Sequence, residues 1–158
     1  MTARPTGIYR WLFRLPIYVY RCRCGSLLGR RFVLLHHIGR RTGLPRETVL
    51  EVLQYREPAP EIIVMSGFGR NAEWLRNIEA VPRVEVEIGR RRFSASYRLL
   101  PPDEAVRVLT AYEQRNRFAG PVIRWVLSRL VGWRYHASDA DRGKLVRELP
   151  LVAFRPRP

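Results

Sequence analysis

The chain has 158 residues, 46% of them hydrophobic, which suits a single domain spanning 1–158 with a real core. A formal net charge of +15 and a pI near 11.3 point to an anionic partner: nucleic acid, a lipid surface or an acidic ligand. Zinc-finger spacing, an RNP-like aromatic motif and a helix-turn-helix are absent, which weighs against nucleic acid, and no run reaches the roughly 20 apolar residues of a membrane span.

Residues 1–30 read as an N-terminal helical segment and 31–158 as a barrel with helices. No acid precedes Glu47. Gly7–Leu28 reads as a helix interrupted at Pro16. Arg10, Arg14 and Arg21 would share one side of it, apart from Trp11, Leu12, Leu15, Tyr18 and Val19. Such a segment fits peripheral contact with an anionic membrane as well as simple packing over the barrel. Cys22 and Cys24, one residue apart, suit neither a disulfide nor a zinc site, and fit a reducing cytoplasm.

Phe32–Ile38 is strand-like, and its alternation sends His36 and His37 to opposite faces, so they do not jointly ligate a metal. Thr48–Gln54 is a second strand and Glu61–Ser66 a third, with the turn Pro58-Ala59-Pro60 between them. Asn71 is placed to cap a helix over Ala72–Ala80, with Glu73 in its first turn and Trp74 and Ile78 on its apolar face. Val84–Ile88 alternates valine and glutamate, Gly89-Arg90 is a hairpin turn, and Arg91–Leu100 returns. Pro101-Pro102 ends that strand. A helix runs from Asp103 to about Arg115, and another over Val122–Val131 is opened by Gly120-Pro121 and closed by Gly132. Pro150–Phe154 is the last strand. Six short strands with flanking helices make an α+β chain whose centre is a small antiparallel Greek-key barrel.

One turn concentrates polar chemistry. Gly39-Arg40-Arg41-Thr42-Gly43-Leu44-Pro45-Arg46-Glu47-Thr48 packs three guanidinium groups and two hydroxyls between the first two strands. It has the make-up of an anion cradle, and equally of a solvated basic hairpin. It is not a P-loop, because the G-x-x-x-x-G-K-[ST] order is missing. No G-x-S-x-G elbow, H-E-x-x-H or paired-carboxylate site occurs, so any redox chemistry would come from a bound cofactor.

Gly39-Arg40-Arg41-Thr42-Gly43 with Pro45-Arg46 resembles the G-R-[KR]-[ST]-G-x-P-R signature of the deazaflavin-dependent nitroreductase and quinone reductase family. The resemblance continues through Ser66-Gly67-Phe68-Gly69, Glu73-Trp74-Leu75-Arg76-Asn77-Ile78, Pro82 and an apolar strand at Leu149–Phe154. It implies a split β-barrel that uses coenzyme F420 to transfer a hydride to a small-molecule acceptor: a quinone, nitroaromatic or enone. It places Arg41 and Arg46 on the coenzyme's phosphate or glutamate tail, helped by Arg40, Thr42 and Thr48. It puts Ser66, Gly67 and Gly69 beside the ring or polyol chain, and Trp74 and Asn77 near the cofactor. Tyr135 and Ser66 are the candidate catalytic groups that would supply a proton or hydrogen bond to the acceptor. The implied setting is cytoplasmic, with peripheral contact on the inner face of the membrane, as a monomer or homodimer. Two readings stay open beside it: a split barrel binding FMN or haem, and a basic membrane- or nucleic-acid-binding module without catalysis.

Overall fold

A computed structural model describes residues 29–158. The expected helix over Gly7–Leu28 lies outside these residues. Six strands close into a barrel in the order β1-β2-β3-β6-β5-β4, every neighbouring pair antiparallel. They are β1 (Phe32–Ile38), β2 (Pro45–Arg56), β3 (Glu61–Met65), β4 (Val84–Ile88), β5 (Arg91–Leu99) and β6 (Leu151–Pro156). The helices are α1 (Glu73–Ala80), α2 (Pro102–Arg115), α3 (Gly120–Val131) and α4 (Asp139–Glu148).

Strand alternation builds two cores. Val33, Leu35, Val52, Ile62, Val64, Val84, Val86, Ala95, Val152 and Phe154 point into the barrel, where Trp74, Leu75 and Ile78 of α1 pack against them. The opposite faces of β2, β3 and β6 present Leu53, Ile63, Leu151 and Ala153 to α2, α3 and α4. β3 and β6 are therefore covered on both sides and read as unbroken apolar runs, whereas β4 keeps Glu85 and Glu87 outward. Each aliphatic side chain fully removed from water contributes about 1.5–3 kcal/mol.

The start of β2, the cap of α1 and the presence of α4 differ from expectation. β2 starts at Pro45, because the ladder with β1 already pairs Ile38 with Pro45, and a proline is tolerated as the first residue of a strand. Asn71 does not cap α1: it belongs to a 3-10 turn over Gly69–Asn71, and Ala72 holds the N-cap position with no side-chain bond. α4 was not expected at all. It is started by Ser138, whose hydroxyl accepts from the Asp141 N–H, with Asp139 and Asp141 in its first turn. The Gly89 turn and the left-handed Gly132 that ends α3 stand as expected.

Candidate functional site

The antiparallel order brings the β1–β2 turn and the segment after β3 to one end of the barrel: β1 ends there, β2 descends, and β3 climbs back to Ser66. α1 follows immediately and is bonded to the turn. Inside the turn, Gly39 N–H donates to Leu44 O at 2.9 Å and Gly43 N–H to Gly39 O at 2.7 Å. Gly43 has φ of 68°, a left-handed conformation that glycine adopts without strain. Gly39 is required for space, since a Cβ there would lie 2.6 Å from the Thr42 hydroxyl oxygen.

The three arginines of the turn have different fates. Arg40 is turned inward. Its Nη1 donates to Glu73 at 2.7 Å and to Asn77 Oδ1 at 2.9 Å, and its backbone N–H also donates to Asn77 Oδ1 at 3.1 Å. Arg40 thus braces the turn onto α1. Arg41 and Arg46 are exposed and make no hydrogen bond or ion pair among the described residues. Thr42 is exposed, and its oxygen accepts from the Leu44 N–H at 3.3 Å, leaving its own proton free.

Beneath the turn lies a buried polar chain. Asn77 Oδ1 is occupied by Arg40, so its amide Nδ2 donates to His37 Nδ1 at 3.2 Å. Nε2 of His37 therefore carries the ring proton and donates to the Thr48 hydroxyl at 3.1 Å. The hydroxyl proton of Thr48 is free to point elsewhere. Burial, then the charges of Arg46 and His36, push His37 from its ordinary value near 6.5 down to about 4. His37 is neutral at pH 7 and adds no charge to the arginines beside it. His36 faces the other way, as alternation requires, with Glu47 at 3.4 Å and Glu87 at 3.6 Å.

This chain makes two predictions. The unfolded His37 binds a proton more readily than the folded one. The His37 contribution should therefore lower stability as pH drops from about 6.5 to about 4 and change no further below that. His37→Gln should remove that slope, which urea melts at stepped pH will read. Asn77→Ala should cost about 1–3 kcal/mol, because it strands the buried His37 nitrogen and the Arg40 N–H. The same melts measure it, and a loss below about 0.5 kcal/mol would mean water replaces the amide at no cost.

The other sequence candidates divide. Ser66 is fully buried. Its N–H donates to Pro150 O, and its hydroxyl donates to the Gly69 carbonyl at 2.6 Å, closing the turn rather than facing outward. Gly69 has φ of 67°, and a Cβ there would come within 2.9 Å of the Glu148 carbonyl, so this glycine lets α4 approach. Gly67 faces Leu130 of α3. Trp74 is buried against Phe154, ring centroids 6.4 Å apart, as a core residue. Tyr135 lies in the outer core among the helices. Its hydroxyl donates to Glu113, which is also bonded by Arg142 at 2.7 Å. Burial and that bond push its phenol well above the ordinary range. Both expected proton donors, Tyr135 and Ser66, are thus committed to protein acceptors. Glu73 and His37 were not among the sequence candidates. Neither has a local signal: Arg40 lies 33 residues from Glu73 and Asn77 lies 40 from His37.

The profile of the F420H2-dependent quinone reductase family matches residues 14–118, more than half of the chain. The chain belongs to this family. F420H2-dependent quinone reductases of Mycobacterium tuberculosis are 29% identical over 99 residues, which cover 59% of this chain and 66% of theirs. The match thus spans just under two thirds of these relatives' length. A solved F420-H2 dependent reductase is 19% identical, with a TM-score of 0.52 over 81% of this chain and 96% of its own. A protein related to general stress protein 26, of the pyridoxine phosphate oxidase family, from Clostridium acetobutylicum is 6% identical. Its TM-score is 0.50, over 89% of this chain and 84% of its own. These likenesses establish the split-barrel fold, and family membership makes coenzyme F420 the implied cofactor. The turn's donor set fits that coenzyme's anionic tail: two exposed guanidinium groups with no hydrogen bond or ion pair among the described residues, two threonine hydroxyls, and a neutral histidine below. Among the described residues no group of His, Cys, Asp and Glu could hold a metal, and no helix is long and apolar enough to cross a membrane.

Proposed function

We propose that this chain is an F420H2-dependent reductase of quinone-type acceptors and that the β1–β2 turn holds the anionic tail of the coenzyme. The observation that carries the reading is the division of labour among the three arginines. Arg40 fixes the turn on α1, while Arg41 and Arg46 stand exposed with no carboxylate bound among the described residues. Phosphate and glutamate oxygens are the natural partners of such guanidinium groups. Thr42 and Thr48 add hydroxyl donors. Through Asn77 and His37, the bracing of Arg40 reaches Thr48, so the donors are held in place before the ligand arrives.

When bound, the reduced deazaflavin supplies a hydride to an electron-poor acceptor. The chain's own part is to bind the tail, orient the coenzyme and keep the turn rigid. A proton donor to the acceptor is not assigned to Tyr135 or Ser66, whose hydroxyls are spent inside the protein. The test is anaerobic turnover: reduced coenzyme should be oxidised only when menadione is added. No oxidation with a quinone, nitroaromatic or enone, under conditions where the coenzyme is bound, would overturn the activity.

A further inference from the structure

The stretch from Gln114 to Ser138 contains no acidic residue and five arginines, at positions 115, 117, 124, 129 and 134. It forms the 3-10 turn Arg117–Ala119 and α3. One side of α3, with Ile123, Leu127 and Leu130, packs into the outer core. The other side carries Val122 and Trp125, 62% and 52% exposed, and Phe118 in the 3-10 turn just before the helix is 89% exposed. Spacings of four and three residues keep them on one side of a helical run. Scattered exposed apolar residues are ordinary, but two large aromatics and a valine exposed within eight residues, at the start of one helix and the turn that leads into it, are not. Arginines surround them: Arg117 lies over the Phe118 ring at 4.9 Å and Arg129 over the Trp125 ring at 5.6 Å. Arg124 is exposed between them.

We propose that this face of α3 docks on an anionic lipid surface, with Phe118, Val122 and Trp125 entering the headgroup layer and Arg117, Arg124 and Arg129 on the phosphates. Charge selects this occupant. A second copy placed face to face would set one acid-free arginine stretch against another. Residues 1–28 are also arginine-bearing and free of acids, so their composition offers the α3 arginines no counter-charge. An anionic bilayer satisfies both halves of the surface: aromatics favour the interface and arginines its phosphates. The inference does not rest on the coenzyme reading, since it is tested without coenzyme.

The full chain is sedimented with phosphatidylcholine vesicles, with and without one third phosphatidylglycerol. Binding should require the anionic lipid and weaken with salt. Arg124→Gln with Arg129→Gln should weaken it by roughly fivefold per arginine, and Phe118→Ser with Trp125→Ser by roughly tenfold or more. Arg90→Gln with Arg91→Gln, an equal charge loss at the β4–β5 turn, should weaken it much less. Unchanged affinity in both α3 variants, an equal loss in the Arg90/Arg91 control, or loss of a solution dimer without loss of vesicle binding would each overturn the proposal.

Discussion

Arg46→Ala is expected to raise the KM for reduced coenzyme by roughly ten- to a hundredfold and to leave kcat nearly unchanged. The lost interaction is a charge-assisted hydrogen bond, worth about 1.5–3 kcal/mol. Arg46 is exposed and bonded to no described residue, so its removal takes nothing from the fold. A tail contact lies away from the reacting ring and is equally strong in ground and transition states, which places its effect in KM. An internal control accompanies it. The Arg46 charge helps to hold His37 down, so the variant should raise the His37 pKa, readable from its ring proton resonances. Arg40→Ala should behave differently, because Arg40 is bound to Glu73 and Asn77: it should loosen the turn and lower stability as well as affinity. A large fall in kcat for Arg46→Ala at saturating coenzyme would place Arg46 at the chemistry instead.

The second large effect belongs to stability. Glu61 is buried on the outer face of β3 and takes bonds from Arg56 at 2.8 Å, Arg98 at 3.2 Å and Arg155. Glu104, in the first turn of α2, takes two bonds from Arg98 at 2.8 Å and one from Arg56 at 2.9 Å. Burial alone would raise Glu61, but the Arg155 bond and the charge of Arg98 outweigh it and the net direction is down. The Arg98 bond, against burial, pulls Glu104 down to about 2. Glu61→Gln leaves three guanidinium groups against one carboxylate. Breaking such a buried network should cost about 3–5 kcal/mol, and Tm should fall by roughly 10–20 °C. Both carboxylates titrate below their unfolded values. Their stabilisation is therefore full above the ordinary carboxylate range and is lost as pH falls toward about 2. Calorimetry on Glu61→Gln reads the first effect. A Tm within about 2 °C of wild type would show that the network contributes little net stability.

Much of the barrel is legible in the chain because its signals are local. Val84–Ile88 alternates, Phe32–Ile38 is an apolar run, and Gly39, Gly43 and Pro45 announce the turn that joins β1 to β2. α4 was not legible. Only Leu145 and Val146 are buried in it, Gly143 interrupts it, and its clearest sign is the Ser138 cap with Asp141 three residues on. The polar make-up of the turn could be named from Gly39–Thr48, but the separate placements of Arg40, Arg41 and Arg46 could not. They depend on Glu73 and Asn77, which only the closed barrel brings to the turn. The same holds for His37: alternation gives its face, while its neutrality comes from burial and from an amide 40 residues away. The glycines of Ser66–Gly69 carried a cofactor reading from resemblance; what the fold adds is that Gly69 lets α4 approach. The second acid-free stretch, Gln114–Ser138, drew no functional reading from sequence, because nothing there shows which side of α3 the barrel leaves uncovered.

The most direct test of the account is calorimetric titration of the full chain with coenzyme F420 and, separately, with FMN, for the wild type and for Arg41→Ala with Arg46→Ala. The account predicts tight F420 binding that weakens with added salt and by roughly a hundredfold or more in the double variant, with weak FMN binding in both. Tight FMN binding with none for F420, or F420 binding indifferent to the loss of both arginines, would contradict it.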